Sequence, residues 1–151
     1  MTRKEALDTV LKICAKSKQQ IARGEFYTLE ESWERRMAQR KKFSKGEQMK
    51  KLKISKEAEC EIDGIYEYLL NNFGTRIADE KIAKIYVTFE ILCHDPYMGR
   101  SLDRNDQNLR IYVHKPNVII YDIDNNALEI LHVVDARTDY IRRIFPDIEN
   151  I

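Results

Sequence analysis

Two apolar stripes at helical spacing, parted only by Asn72-Phe73-Gly74, constrain this chain more than any other feature. Over residues 56–72, Ala58, Ile62, Ile65 and Leu69 recur on one face, joined by Tyr66 and Leu70. Beyond Gly74 the pattern resumes with Ala78, Ile82, Ile85, Phe89 and Leu92, until Asp95-Pro96 stops it. So short a joint makes the pair an antiparallel αα-hairpin, with Thr75 placed to cap its second helix. Both stripes need a cover, and the flanking sequence supplies a sheet. Leu52-Lys53-Ile54-Ser55 alternates ahead of the hairpin. After a loop over residues 96–108, three strand candidates follow at 109–114, 118–123 and 128–134. In the first, Leu109, Ile111 and Val113 share one face, and Arg110, Tyr112 and His114 the other. The second is apolar through its first half, as a central strand would be. Lys115-Pro116-Asn117 and Asp124-Asn125-Asn126 read as turns, and Thr138 opens a short helix ending at Phe145. The order β-α-α-β-β-β-α predicts an α+β domain: a helical hairpin packed on a small antiparallel sheet.

A segment of different character precedes this domain. Thr2 and Glu5 have capping-box spacing. Leu7, Leu11, Cys14 and Ile21 follow near the helical period, with Val10 beside them, and Arg23-Gly24 closes the helix. A second helix opens at Thr28, again with a box partner at Glu31. Its apolar stripe is only Leu29, Trp33 and Met37, and much of the rest is basic: Arg35, Arg36, Arg40, Lys41 and Lys42. So narrow a stripe needs another surface to bury against. Ser44-Lys45-Gly46-Glu47-Gln48 reads as a polar linker. The expected division is a two-helix arm with linker over residues 1–48, then the α+β domain over 49–151.

Charge sharpens that division. The whole chain carries 26 Lys and Arg against 25 Asp and Glu, a net +1 that points away from a strongly basic nucleic-acid binder. Yet residues 1–51 hold 14 basic and 7 acidic side chains, whereas residues 52–151 hold 12 and 18. A basic arm cancels an acidic domain, which favours the arm lying on the domain. The longest apolar run, residues 118–121, is too short to span a membrane, and the N-terminus lacks a secretory apolar stretch. A cytoplasmic protein with no membrane partner is expected. Cys14, Cys60 and Cys93 are widely spaced and form no CxxC, which favours reduced thiols. No two of the three histidines stand at i, i+4, and neither a glycine-rich phosphate loop nor a GxSxG elbow occurs. No metal or cofactor is expected.

Several short patterns of the domain recur in a fixed order. They are Asp63-Gly64-Ile65-Tyr66-Glu67-Tyr68, Asn72-Phe73-Gly74 with Ala78, and Asp95-Pro96-Tyr97-Met98-Gly99-Arg100. Leu109-Arg110, Val118-Ile119-Ile120-Tyr121-Asp122-Ile123 and the run Ile130 to Tyr140 complete the series. Together, over residues 52–145, they resemble the ParE/RelE family of toxins from bacterial type II toxin–antitoxin systems. In the arm, residues 20–31 and 34–40 are similar to the toxin-wrapping C-terminal part of antitoxins. Residues 1–20 are too few for the DNA-binding part that an antitoxin usually adds. Met49-Lys50-Lys51-Leu52 would make a natural toxin start, so the chain reads as two cistrons joined, antitoxin tail then toxin. A charged N-terminal extension without antitoxin ancestry is the alternative.

The resemblance implies two kinds of activity. ParE-like members inhibit DNA gyrase by binding it, and they use the C-terminal region. Arg137, Tyr140, Arg142, Arg143 and Arg100 are then the target-binding candidates. RelE-like members cut mRNA on the ribosome, which requires acid–base groups and cations around the scissile phosphate. Arg110, His114, Arg137 and Tyr140 are the candidates for that chemistry, with His132 on a neighbouring strand. However, Val118 stands where RelE-like toxins carry an arginine, and an acidic domain suits RNA poorly. Leu29, Trp33 and Met37 are expected to seat the arm in an apolar groove near the hairpin or the sheet edge. The implied partners are a cognate antitoxin or the chain's own arm, gyrase or alternatively ribosome and mRNA, and a second copy by arm exchange. A third reading is a self-neutralised fusion without remaining activity.

Overall fold

A computed structural model describes residues 2–37, 51–125 and 127–147. The linker over 44–48, the Met49 junction, the basic residues Arg40, Lys41 and Lys42, and the turn residue Asn126 lie outside the described residues.

Helix α1 spans Arg3–Ala22, and its first turn is closed by a reciprocal capping box. The Glu5 amide donates to Thr2 Oγ1 at 3.1 Å, and the Thr2 amide to Glu5 Oε2 at 3.4 Å. At its other end Gly24 takes φ +82°. The Gly24 and Glu25 amides reach back to the Ile21 and Gln20 carbonyls, each at 2.9 Å, closing a Schellman motif. That turn sends the chain into strand β1, Phe26–Thr28, and a second capping box between Thr28 and Glu31 starts α2, Leu29–Met37. Strand β2, Lys51–Ser55, passes directly into α3, Lys56–Phe73, because the Ser55 hydroxyl accepts from the Ala58 amide at 3.0 Å. Gly74, at φ +84°, separates α3 from α4, Thr75–His94. Thr75 is thus the first helical residue, and no side-chain cap is made at this joint.

The region expected as a loop over 96–108 is more ordered than its sequence suggests. It holds a 3₁₀ turn, Pro96–Met98, a short strand β3, Arg100–Asp103, and the start of β4, Asp106–His114. Strands β5, Asn117–Asp124, and β6, Ala127–Asp135, follow, and α5, Asp139–Ile144, closes the described chain. The six strands form one sheet in the order β1-β2-β6-β5-β4-β3. The sheet is mixed rather than wholly antiparallel, because β2 runs parallel to β6. The hairpin carries the chain across to β3 at the far edge, and the antiparallel run β3-β4-β5-β6 brings the last strand back beside β2.

Helices cover both faces. Ile54, Ile62, Ile82, Tyr86, Phe89 and Tyr121 centre the core under α3 and α4, and Trp33 of α2 joins it. On the opposite face Val10, Cys14 and Ile21 of α1 pack with Ile111, Val118, Ile120, Leu131 and the α5 residues Ile141 and Ile144. A bulge in β6 sets which residues face which core. Ile120 pairs with His132 but Tyr121 with Ile130, so Leu131 is the extra residue. Leu128, Ile130 and Val133 therefore face the hairpin, while Leu131 faces α1.

Candidate functional site: the arm and domain interface

The arm grips the domain along one sheet edge and over both faces. β1 pairs antiparallel with β2, Tyr27 opposite Ile54, so the arm itself supplies the edge strand of the sheet. From there α2 crosses to the hairpin side. The Trp33 indole is 5% exposed and meets the Tyr86 ring edge-on, with centroids 5.4 Å apart. Leu29 packs against the same core; the side chain of Met37 lies outside the described residues.

Beside Trp33 lies a buried charge network. The Arg36 side chain is 4% exposed and the Glu59 carboxylate 2%. The Arg36 guanidinium donates to Glu59 Oε1 at 2.8 Å, to the Glu59 carbonyl at 2.9 Å and to Asp63 Oδ1 at 2.7 Å. Its Nη1 also reaches Ser32 Oγ at 2.8 Å and the Tyr86 hydroxyl. Arg35 adds a second cation on Glu59 and reaches Asp63 at 3.3 Å. Burial pushes the Tyr86 phenol up to about 12, against the pull of Arg36, so it keeps its proton.

On the other face α1 repeats the scheme with different chemistry. Asp122 of β5 and Glu129 of β6 are cross-strand partners, both buried, which sets two like charges side by side. Lys18 of α1 answers both, binding Asp122 directly and Glu129 at 2.8 Å. Burial works against its charge, and hydrogen bonds to the two carboxylates overcome that and raise its pKa. One turn away His132 bridges the elements. Its Nδ1 lies 3.1 Å from Glu61 Oε1 of α3, and its Nε2 3.1 Å from the Ile13 carbonyl and 3.0 Å from Ser17 Oγ. Burial draws the imidazolium down, but the Glu61 hydrogen bond and charge and the Ile13 carbonyl outweigh it, so the net shift is upward. This serine, histidine and glutamate series has the order of a nucleophilic triad, yet Ser17 is wholly buried, which closes its hydroxyl to solvent. It pins α1 to α3 and β6.

Among the described residues, the lysines and arginines that pair with Glu57, Glu59, Asp63, Asp122 and Glu129 all come from the arm. The opposed charges of arm and domain are resolved as these pairs. Sequence reasoning found the opposition but not the residues. Ser17, in register with Val10, Cys14 and Ile21 on the buried face of α1, was the available signal of a buried polar contact.

The ribonuclease candidates do not converge. Arg110 is turned to a structural task. Its guanidinium donates to the Gly99 carbonyl at 2.9 and 2.6 Å and stacks over Tyr97, 5.3 Å from the ring centroid. Gly99 has no room for a side chain: a Cβ there would fall 2.4 Å from the Ile111 carbonyl oxygen and 2.5 Å from the Tyr121 hydroxyl. The Tyr97-Met98-Gly99 turn is therefore a clasp, sealed where Tyr121 donates to the Pro96 carbonyl at 2.6 Å. His114 stands four positions along β4 from Arg110, about 13 Å at strand rise. Its Nδ1 lies 3.1 Å from Thr88 Oγ1, and burial, then Lys81 and Lys84, hold its pKa below the usual value. Arg137 is exposed and pairs with Asp135 at 2.9 Å. Tyr140 packs against the α1-side core, where burial pushes its phenol to about 12. His114 and Arg137 line one groove, whose lining includes neither Arg110 nor Tyr140. Of the remaining target-binding candidates, Arg142 and Arg143 are exposed on α5, and Arg100 stacks over Phe145, 4.7 Å from its centroid, and pairs with Asp147. Of the hairpin tyrosines, Tyr86 meets the arm, Tyr66 bonds Asp79 at 2.6 Å, and Tyr68 is exposed. The three cysteines are free thiols. No group of residues suited to a metal, and no helix long and apolar enough to cross a membrane, occurs among the described residues.

Comparison with known proteins places the fold. No curated protein matches the chain. A solved structure of the chromosomal ParDE TA system from P. aeruginosa is similar at a TM-score of 0.50 and 18% identity, covering 58% of this chain and 97% of that one. At that identity the likeness concerns the fold. By sequence, residues 52–140 match the family described as ParE toxin of type II toxin-antitoxin system, parDE. That match runs from β2 into α5, more than half of the chain, and this chain belongs to the ParE toxin family of type II toxin–antitoxin systems.

Proposed function

We propose that the chain is a ParE-like toxin held in check by its own N-terminal arm, and that its target is DNA gyrase, inhibited by binding. The observation that carries the cis reading is the junction of Arg36 and Trp33 with Glu59, Asp63 and Tyr86, beside an edge strand donated by the arm. A partner antitoxin would wrap a toxin with the same means: main-chain pairing along an exposed edge, a large aromatic anchor, and charge complementarity. Here the arm supplies all three. The gyrase target rests on family membership. The scattering of Arg110, His114 and Tyr140 favours inhibition by binding over acid–base chemistry. Arm exchange between two copies would keep every one of these contacts, and the mass of the purified chain in solution distinguishes the two arrangements.

Expression of residues 49–151 beside the full chain tests the proposal. Growth arrest with DNA-damage signalling from the short form, and none from the full chain, is the expected result. Arrest accompanied by cleaved transcripts would replace gyrase with the ribosome and mRNA as the target. Arrest by both forms would remove cis neutralisation, and arrest by neither would leave a fusion without toxin activity.

A further inference from the structure

The arm covers one side of the hairpin and leaves the other open. Between the far end of α3, the first half of α4, the β4–β5 turn and the end of β6 lies a groove of about 960 Å³. Its chemistry is the reverse of the arm-covered side. Tyr68 and Phe73, 61% and 56% exposed, stand at its mouth with ring centroids 6.4 Å apart, edge to face. Ile65, Leu69, Ile85 and Val133 extend this apolar lining inward. Lys81 and Lys84 line the same groove, and neither makes an ion pair among the described residues. The carboxylates present are already engaged: Glu61 accepts from the Val133 amide at 3.0 Å and faces His132, and Asp135 holds Arg137. The low pKa direction of His114 reports burial together with the two lysines, consistent with local positive potential.

We propose that this groove docks an acidic, apolar-faced helical segment of a separate protein. Exposed aromatics beside aliphatic lining offer anchor positions for one face of a helix. The lysines would meet carboxylates on its flank and speed encounter. A protein segment fits better than single-stranded nucleic acid. The tip rings are turned edge to face towards each other rather than presented as flat stacking platforms, and most of the inner lining is aliphatic. No residue of the arm lines the groove, so it can be occupied while the arm is docked. The proposal does not depend on the target being gyrase.

The test uses the full chain and three probes followed by amide NMR shifts. They are a synthetic helical peptide with leucines on one face and glutamates on the other, the same peptide with lysines replacing the glutamates, and an oligothymidylate. The glutamate peptide is expected to shift Tyr68, Phe73, Lys81, Lys84 and His114, more strongly at low salt. Lys81→Glu with Lys84→Glu should weaken it at least tenfold while binding of the lysine peptide rises. Both lysines are exposed, so unchanged arm signals will certify that this variant is folded. Equal binding of both peptides by the wild-type chain overturns the proposal, as does a response confined to the arm. No response from the glutamate peptide, or preferential binding of the oligonucleotide in the groove, overturns it too.

Discussion

The two faces of the sheet are held by the same arm through different physics. On the hairpin face, α2 contributes one large aromatic and one buried guanidinium, whose charge does not titrate in the accessible pH range. On the opposite face, α1 contributes small aliphatic side chains, a lysine between two carboxylates, and contacts to a histidine whose pKa is raised above its ordinary value. Each face of the domain carries acids that require a cation from the arm. The difference teaches that the grip is fixed on one side and adjustable on the other. The largest effects should therefore come from α2, and pH dependence from α1.

Arg36→Ala should produce the largest loss, about 3–5 kcal/mol, because it removes the buried half of the pair on the nearly inaccessible Glu59 carboxylate, leaving it to the 43% exposed Arg35, and also unpairs the Glu59 carbonyl. The denaturant midpoint measures it. Arg36→Lys should recover only part, since one ammonium cannot reproduce the fork that reaches Glu59, its carbonyl and Asp63 together. Trp33→Ala should fall in a similar range, about 3–5 kcal/mol for an emptied aromatic site. Because both residues meet Tyr86, the double variant should lose less than the sum. Strict additivity would mean that the aromatic and the charge network are independent supports.

Lys18→Met should cost less than Arg36→Ala, because Lys18 is 38% exposed and water compensates part of the loss. Its signature is a change of pH profile. Asp122 already has a raised pKa, from burial first, with Lys18 opposing. A carboxyl whose folded pKa lies above its unfolded value costs stability once ionised, and that cost disappears on acidification through the folded pKa. Removing Lys18 leaves Asp122 and Glu129 adjacent without the cation that pairs them among the described residues. The variant should therefore lose stability at neutral pH and regain part of it under mildly acidic conditions. A variant as impaired in acid as at neutrality would show that Lys18 acts by packing alone.

The His132 contact adds a term of opposite sign. Its folded pKa is raised above the unfolded value of about 6.5. Its contribution is thus complete below pH of about 6.5 and is lost as pH rises through the folded value. Amide exchange in α1, corrected for its intrinsic pH dependence, should show tighter docking on the acid side, whereas α2 should show no such change. His132→Gln should abolish the difference. A persistent pH effect in that variant would assign it to other groups near α1, such as Glu57 or Cys14.

The sequence exposed the hairpin, the three long strands and both capped arm helices because each has a local signature of period, cap or turn. It concealed β1, since three residues between a glycine turn and a capping box carry no alternation to read. It concealed β3 for a related reason: Arg100–Asp103 is polar and short, and pairing with β4 makes it a strand. The bulge at Leu131 was equally hidden, because a run of mixed apolar residues looks the same in either register. The resemblance to ParE/RelE toxins, carried by ordered short patterns, found the family. The arm's grip on that domain was legible only as a sum of charges. Which lysine meets which carboxylate depends on a fold that brings residue 18 beside residues 122 and 129.

The smallest expected effect tests the comparison most directly. Lys16 and Lys18 lie on the same helix, and both reach carboxylates of the domain. Lys16 meets Glu57 at 3.2 Å, but its side chain is 68% exposed and that of Glu57 37%. Water and salt screen such a pair, and its side chains give up entropy to hold it, so Lys16→Ala should cost between nothing and about 1 kcal/mol. That small cost should shrink further in concentrated salt, whereas the effect of Lys18→Met should persist, because Asp122 and Glu129 are buried whatever the solvent contains. If Lys16→Ala proved as harmful as Lys18→Met, the arm would be held by long-range attraction between a basic segment and an acidic domain. If it proves nearly silent, the arm is held by a few buried acids on the domain whose cationic partners, among the described residues, all come from the arm.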